Sequence, residues 1–434
     1  MSTANNSPLS TLNDPLPTGY KQTEVGIIPE DWDDTFLGEI TKLMTNGFVG
    51  TATSQYTEDD TGVLYIQGYN VEENSFNFRG VKFVNQTFHK AHSKSCLREG
   101  DLLTVQTGDV GLTTIVPKTM VGANCHALII SRFQKGRSNS RFISYYLNSM
   151  PGRARLKLIE VGTTMKHLNV GDMLQFKVPL PPTVAEQEAI AGALSDADAL
   201  IESLEQLIAK KRRIKAGAMQ TLLTGKKRLP GFSGNWKKHQ LCNFGKFKNG
   251  LNKDSDSFGH GSPFVNLMDV FGVNSISSAA NLGLVASTTA DREIYNLNAG
   301  DVLFIRSSVK PSGVGLTAVV ESDLHNTVFS GFLIRFRDDG SLDVGFKRYC
   351  FYEEKFRKKI IAASSVSANT NINQNNLGQL TILLPPTKAE QTAIAEILSD
   401  MDTEIDALEA KLRKARQIKQ GMMQELLTGK TRLV

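Results

Sequence analysis

Cysteine is scarce in this chain. Four residues in 434, at Cys96, Cys125, Cys242 and Cys350, form no CxxC pair. That spacing excludes a disulfide framework and a cysteine zinc module, and points to reduced thiols in a cytoplasmic setting. Tryptophan is scarcer still, with only Trp32 and Trp236. No apolar run reaches the roughly 20 residues that a spanning helix needs, and the N-terminus lacks the apolar core of a signal peptide. No membrane is expected among the partners. Neither sign of charge dominates. The 49 basic and 44 acidic side chains leave +5 and a pI near 8.8, which is compatible with nucleic acid without being diagnostic of it.

Catalytic motifs are missing too. Gly429-Lys430-Thr431 imitates the end of a phosphate-binding loop, but the required glycine five positions earlier is Gln424, and the segment ends a helix instead of following a strand. His89 and His92 form an HxxH without the glutamate of a metalloprotease helix. There is no Asn-Pro-Pro-aromatic signature of amine methylation and no Gly-rich strand–turn–helix for a methyl donor. The expectation is a chain with no catalytic residues, no metal and no cofactor of its own.

What the chain does contain is a large internal repeat. Residues 180–229 read LPPTVAEQEAIAGALSDADALIESLEQLIAKKRRIKAGAMQTLLTGKKRL, and residues 384–433 read LPPTKAEQTAIAEILSDMDTEIDALEAKLRKARQIKQGMMQELLTGKTRL. They align without a gap, with roughly 31 of 50 positions identical. Each reads as one long helix. Proline and threonine open it, with Glu186 three residues after Thr183 and Glu390 three after Thr387, the capping-box spacing. Ile190, Leu194, Ala197, Ile201, Leu204 and Ile208 recur at alternating gaps of four and three, as do Ile394, Leu398, Met401, Ile405, Leu408 and Leu412. This is the seam of a coiled coil, and the natural partner of each helix is its twin. Roughly 36 helical residues make a rod of about 55 Å. Identity extends to positions read as exposed, such as Lys215 and Lys419, which core packing would not demand.

The repeat is wider than the helix. GIIPEDW at 26–32 and PGFSGNW at 230–236 place both tryptophans at equivalent points, each as an anchor for a domain edge. Strands expected over 63–71 and 263–270 precede matched Gly-Asp turns, Gly100-Asp101 and Gly300-Asp301, each leading into a β-type run. Those runs enter Gly-rich turns, QTGDVG at 106–111 and RSSVKPSGVG at 306–315, and return over 113–116 and 317–320. A helix is expected over 142–159 and again over 346–361, each basic towards its end, where cations suit the helix dipole. Polar loops follow, VGTTMKHLN at 161–169 and SVSANTNINQNN at 365–376, then last strands over 174–178 and 380–384. The fold class is α+β: two similar mixed domains, 19–179 and 230–383, each followed by a long helix, 180–229 and 384–434, after a loose tail over 1–18. A conserved scaffold with divergent loops points to loops that read two different things.

The combination of YKQTEVGIIPEDW, GDLLTVQTGDVG, GTTMKHLN and LPPTVAEQEAIAGALSDADALIE, with a second round ending in LLTGKTRL, resembles the specificity subunit of type I restriction-modification systems. The resemblance covers essentially the whole chain after the tail. It implies two target-recognition domains separated by an antiparallel helix pair. Each domain would read half of a split, asymmetric site in double-stranded DNA, and the helix pair would fix the gap between the halves. It implies a non-catalytic subunit that recruits two methylation subunits, which use S-adenosylmethionine, and usually two restriction subunits driven by ATP with Mg. Carried over to these residues, base reading would fall in the first domain to Gln67, Asn70, Thr107, Thr163, Thr164, Lys166 and His167. In the second it would fall to Asn266, Asp269, Arg306, Ser307, Ser308, Lys310, Asn369, Thr370, Asn371 and Gln374. Amides suit adenine, Arg and Lys suit guanine, and hydroxyls serve several edges. Lys237, Lys238 and Lys253 are candidates for phosphate contacts, which hold register only. The helices differ at Gln206 against Ala410 and Lys211 against Ala415, so the twofold symmetry is approximate and the target non-palindromic. The competing reading is a structural adaptor that binds protein and reads no sequence.

Overall fold

The computed structural model describes residues 16–58, 61–164 and 166–433. Most of the expected tail, and Met165 of the late loop in the first domain, therefore lie outside the described residues. The chain packs as two compact units, Met1–Ser203 with Lys411–Val434, and Leu204–Ala410. Each unit holds one globular head, the front half of one long helix and the back half of the other.

The two long helices, Val184–Leu222 and Lys388–Leu426, are 39 residues each, about 58 Å at 1.5 Å per residue. Thr183 and Thr387 accept the first free N–H groups, from Glu186 N at 3.2 Å and Glu390 N at 3.3 Å. The glutamate side chains do not close the expected capping boxes. Both are fully buried, and each is clasped by an arginine just past the end of the other long helix. Glu186 takes Arg432 through Nε and, at 2.8 Å, Nη2. Glu390 takes Arg228 at 2.6 and 2.8 Å. An arginine fork satisfies both carboxylate oxygens, which a backbone N–H cannot do. Arg432 also pairs with Asp31 at 2.9 Å through both terminal nitrogens and holds that carboxyl below its ordinary range. The neighbouring glutamines serve the heads. Gln187 accepts from Asn139 N at 2.7 Å, and Gln391 from Asp343 N at 2.8 Å. The repeated Glu-Gln pair thus ties one helix to the other helix's end and to its own head.

Within each unit the two helix halves run antiparallel, as the ion pairs show. In the second unit Lys211 reaches Glu404 at 2.5 Å and, one turn on, Lys215 reaches Asp402. In the first, Lys419 reaches Asp198 at 2.6 Å. Lys215 and Lys419 are not exposed as expected; their side chains keep 21% and 16% of their surface. Each lies over a tyrosine ring, Tyr349 at 5.5 Å and Tyr145 at 5.9 Å, whose hydroxyl donates to the same aspartate at 2.9 and 2.8 Å. Burial pushes the Tyr349 phenol up to about 12. The identity at these lysines is therefore a packing demand. The seam divides in the same way. Ile190 and Leu194, like Ile394 and Leu398, enter the cores of the heads, with Leu426 and Leu427 added to the first core and Leu222 and Leu223 to the second. Ile208 and Ile405 are buried, while Ile201, Leu204, Leu408 and Leu412 are half-buried. Both tryptophans pack on the glycine that ends a helix, Trp32 on Gly429 and Trp236 on Gly225. These glycines hold φ of +71° and +65°, as a helix C-terminal turn requires.

The first head carries an antiparallel sheet in the order Thr113–Ile115, Leu102–Val105, Leu128–Phe133, Thr41–Asn46. Beside it lies a smaller sheet, Asn124–Cys125, Val63–Ile66, Lys82–Val84. The second head repeats this with Gly245–Asn249, Leu333–Asp338, Val302–Ile305, Thr317–Val320 and an added edge, Ser275–Ile276, plus Gly283–Val285, Phe258–Val265 and Val328–Phe329. The Gly-Asp turns do more than start a strand. Asp101 and Asp301 are buried and take Arg132 and Arg337 in two-pronged pairs of 2.6–2.7 Å from the neighbouring strand.

Three expected elements differ. The helix after the sheet is two, Ser140–Asn148 and Met150–Leu156 in the first head, Val344–Cys350 and Glu354–Ala362 in the second. Ser149 and Glu353 are extended and cap the second member with their side chains. The strands expected over 63–71 and 263–270 end at Ile66 and Val265 and give way to single helical turns, Gly68–Asn70 and Leu267–Val270. The last strand of the first head is Lys177–Leu180, because Val170–Leu174 is helical. Both last strands pair with the chain just after a tryptophan: Lys177–Leu180 with Asp33–Phe36, and Thr381–Leu384 with Lys237–Gln240.

Arg432→Ala leaves Glu186 buried without its cation and is expected to cost the first unit about 3 kcal/mol. Denaturant unfolding followed on the first unit checks this. Adding Glu186→Gln to the same chain should recover part of the loss.

Candidate nucleic-acid interface

The strand after each Gly-Asp turn delivers its end to a small polar platform. In the second head Ser307 pairs with Asn371 and Ser308 with Thr370, while Ser365 and Val366 pair with the same two residues from the other side. In the first head Thr107 and Val161 both bridge to His167. The backbone follows one plan: Leu168 N donates to Gln106 O at 3.1 Å, and Ile372 N to Arg306 O at 2.9 Å. Position by position, Gln106 and Thr107 correspond to Arg306 and Ser307, and His167 to Asn371. Arginines from the second short helix hold the adjoining turns. Arg153 donates to Val110 O at 2.7 Å, and Arg357 to Ser312 O at 2.9 Å and Val314 O at 2.8 Å. These late basic residues are positioning groups, consistent with a structural role for the basic helix ends.

The structure therefore brings Thr107 and His167 together in the first head, and Ser307, Ser308, Thr370 and Asn371 together in the second. Thr163, Thr164 and Lys166 are exposed on the adjoining loop, as are Asn369 and Lys310 in the second head. Arg306 is half-buried, with one guanidinium nitrogen 3.3 Å from Gly331 O. Asn371 donates to Asn369 O at 2.9 Å.

Some of the sequence candidates are occupied by the fold. Asn70 is fully buried: its Oδ1 accepts from Gln67 N at 3.1 Å and its Nδ2 donates to Asn77 O at 2.8 Å. It closes a one-turn capping box with Gln67, so its amide has no free edge for a base. Asp269 does the same for Asn266, accepting from Asn266 N at 2.8 Å, while Asn266 itself stays exposed. Thr370 is 2% exposed and contributes backbone only. Gln374, oriented so that both amide groups are satisfied, donates to Phe247 O and accepts from Asn249 N, both at 3.0 Å. Lys253 is paired with Asp291 at 3.1 Å; the Thr288 N–H and then Lys253 hold that carboxyl below its ordinary range. Lys237 and Lys238 are exposed on the strand facing 383–384.

Sequence reasoning missed an apolar element of the second platform. Met268, Phe271, Val309 and Phe332 are exposed and line one open cleft with Ser307, Ser308, Lys310 and Asn369. The signal was present as large apolar residues inside otherwise polar loops. In the first head the position of Met268 is held by Tyr69, half exposed, whose hydroxyl donates to Gly80 O at 2.8 Å.

Chemically these platforms offer amides, hydroxyls, a guanidinium, ammonium groups and the His167 imidazole, a set rich in hydrogen-bond donors and acceptors. The HxxH histidines serve separate contacts. His89 Nδ1 lies 2.5 Å from Asn124 Oδ1, and His92 packs on Phe48 and Phe88. Burial pushes the Cys125 and Cys350 thiols up, away from the thiolate form that reacts. Among the described residues no group of three or more His, Cys, Asp or Glu is placed to hold a metal, and no helix is long and apolar enough to cross a membrane.

Comparison with known proteins gives a consistent result. The profile of the type I restriction modification DNA specificity domain matches twice, over residues 29–211 and 234–419. A Methanocaldococcus jannaschii chain, provisionally named the type I restriction enzyme MjaX specificity subunit, is 25% identical over 95% of this chain and 97% of its own length. The type I restriction enzyme StySPI specificity subunit of Salmonella potsdam is 22% identical over 93% of this chain and 89% of its own. The crystal structure of a type I restriction-modification S subunit from M. genitalium shares the fold at a TM-score of 0.56 and 15% identity, covering 91% of this chain and 96% of that one.

Asn70→Ala is expected to lower the stability of the first head by about 1–3 kcal/mol, the cost of stranding buried partners. Duplex selection by the same variant, at a temperature where it is folded, should leave the preferred sequence unchanged. A changed preference would return Asn70 to the reading set.

Proposed function

We infer the function from one premise: the chain belongs to the type I restriction-modification DNA specificity family, whose domain it carries twice. It is the sequence-specificity subunit of such a system. The finer reading is that each head, within 19–179 and 230–383, reads one half of a bipartite, asymmetric site in double-stranded DNA. The long helices set the gap between the halves and dock two methylation subunits, together with two restriction subunits where the system has them. In this reading the chain performs no catalysis and acts in the cytoplasm, and S-adenosylmethionine, ATP and Mg belong to its partners.

The observation that carries the reading is the pair of platforms. They occupy the same place in two copies of one scaffold, yet one presents Thr107 and His167 where the other presents Ser307 and Asn371. An adaptor that bound the same partner through both heads would have no use for this contrast. Base edges in the major groove are told apart by such donor and acceptor sets, while lysines on phosphates fix register. On the first platform Thr107, Thr163, Thr164, Lys166, His167 and Gln67 are the proposed reading groups. On the second they are Asn266, Arg306, Ser307, Ser308, Lys310, Asn369 and Asn371.

Arg306→Ala is expected to weaken binding to the preferred duplex about 10- to 100-fold, with far less effect on random DNA, as measured by titration at fixed salt. Equal loss on both would assign Arg306 to a phosphate. Inserting seven residues into both long helices at matched positions lengthens each by about 10.5 Å. The preferred gap should then grow by about three base pairs at roughly 3.4 Å each, with the half-site sequences unchanged. An unchanged gap would reject the helices as the ruler.

A further inference from the structure

The apolar cleft of the second head is not explained by hydrogen-bonding recognition. Val309 is 81% exposed, Met268 73%, Phe332 57% and Phe271 49%. Single exposed apolar residues are ordinary on a protein surface, but a converging set marks a contact site. These four come from three separate segments, the turn at 267–271, the loop at 307–313 and the turn at 331–332, and line one cleft. Ser308 and Asn369 lie in the same wall, and its one ionisable group is Lys310, a cation. The cleft is thus part of the platform, with hydrogen-bonding groups beside it and a charge suited to a phosphate.

Of the groups that the bases present in the major groove, the C5 methyl of thymine is the apolar one. We propose that this cleft takes the 5-methyl group of a thymine in the half-site read by the second head, a step that rests on the base-reading function above. Met268, Phe271, Val309 and Phe332 line the place of the methyl, and the Ser308 hydroxyl and Asn369 amide address polar edges beside it. The first head has a phenol at the position of Met268, its hydroxyl fixed on Gly80 O. The contact proposed here accordingly belongs to the second head.

The test uses the full-length chain assembled with its methylation subunits. Selection from a randomised duplex pool defines the preferred site, and each thymine in it is then replaced singly by deoxyuridine, which removes only the methyl. One thymine should stand out, in the half-site whose selection Arg306→Ala alters, with binding weakened about fourfold, the worth of one buried carbon. Val309→Ser and Met268→Ala, both at exposed positions that the core does not need, should bind the thymine and uracil duplexes alike. Indifference of the wild type to uracil at every thymine of that half-site, or a half-site without thymine, overturns the proposal while leaving sequence reading intact. Variants that keep the thymine preference but lose the methylation subunits on gel filtration would assign the cleft to protein docking and also overturn it. Absence of any preferred sequence would sink the base-reading function, and the cleft with it, a result distinct from selective binding that ignores the methyl.

Discussion

Two buried carboxylates, Glu186 and Glu390, constrain the rest of the molecule. Each sits in the first turn of a long helix with its charge out of water, and each is satisfied by an arginine that arrives only at the end of the other long helix. A buried ion pair is weak evidence for net stability, because desolvation offsets much of the attraction; a single partner left alone is costly. The effect is to specify which segments must meet. One arrangement of the repeats brings Arg432 to Glu186 and Arg228 to Glu390, and it also stacks Trp32 on Gly429 and Trp236 on Gly225. The Tyr145–Asp198–Lys419 and Tyr349–Asp402–Lys215 clusters continue the same specification along the helices. The first unit is consequently discontinuous in sequence: it needs residues after 410 to complete its core, whereas the second is one uninterrupted stretch.

With the scaffold fixed in this way, part of each loop is released from structural duty, although Asn70, Asp269 and Gln374 still serve the fold. The Asp101–Arg132 and Asp301–Arg337 pairs tie the central strands at one end, while the Arg153 and Arg357 contacts tie the turns at the other. What lies between is presented on a rigid frame, so loop residues can change without disturbing it. The second head uses that freedom for serines, asparagines, an arginine and an apolar cleft; the first uses it for threonines, a lysine and a histidine. A shared frame with unlike surfaces is what a reader of two unlike half-sites requires.

Much of this was legible in the sequence. The repeat, the long helices, the Gly-Asp turns and the α+β heads follow from periodicity, turn chemistry and self-similarity. Of the residues carried over from the resemblance, Thr107 pairs with His167 and Ser307 with Asn371, because the strand ends deliver them there. What could not be read were features set by partners far along the chain. Glu186 has capping-box spacing, and nothing local reveals that Arg432, 246 residues away, will claim it. Lys215 and Lys419 look solvated until the aspartate and tyrosine that hold them are in place. Asn70 looks like a reading amide until the turn of Gly68–Asn70 closes over it. The helix break after Asn148 rests on a single serine cap before Pro151, a local choice that apolar periodicity obscures.

The central claim, two differently equipped readers joined by a fixed spacer, is tested most directly by the sequences that the full chain, with its methylation subunits, enriches from a randomised duplex pool. Two short, unlike blocks separated by an unselected gap of constant length are expected. One contiguous block, two copies of the same block, or a gap that varies freely would contradict it.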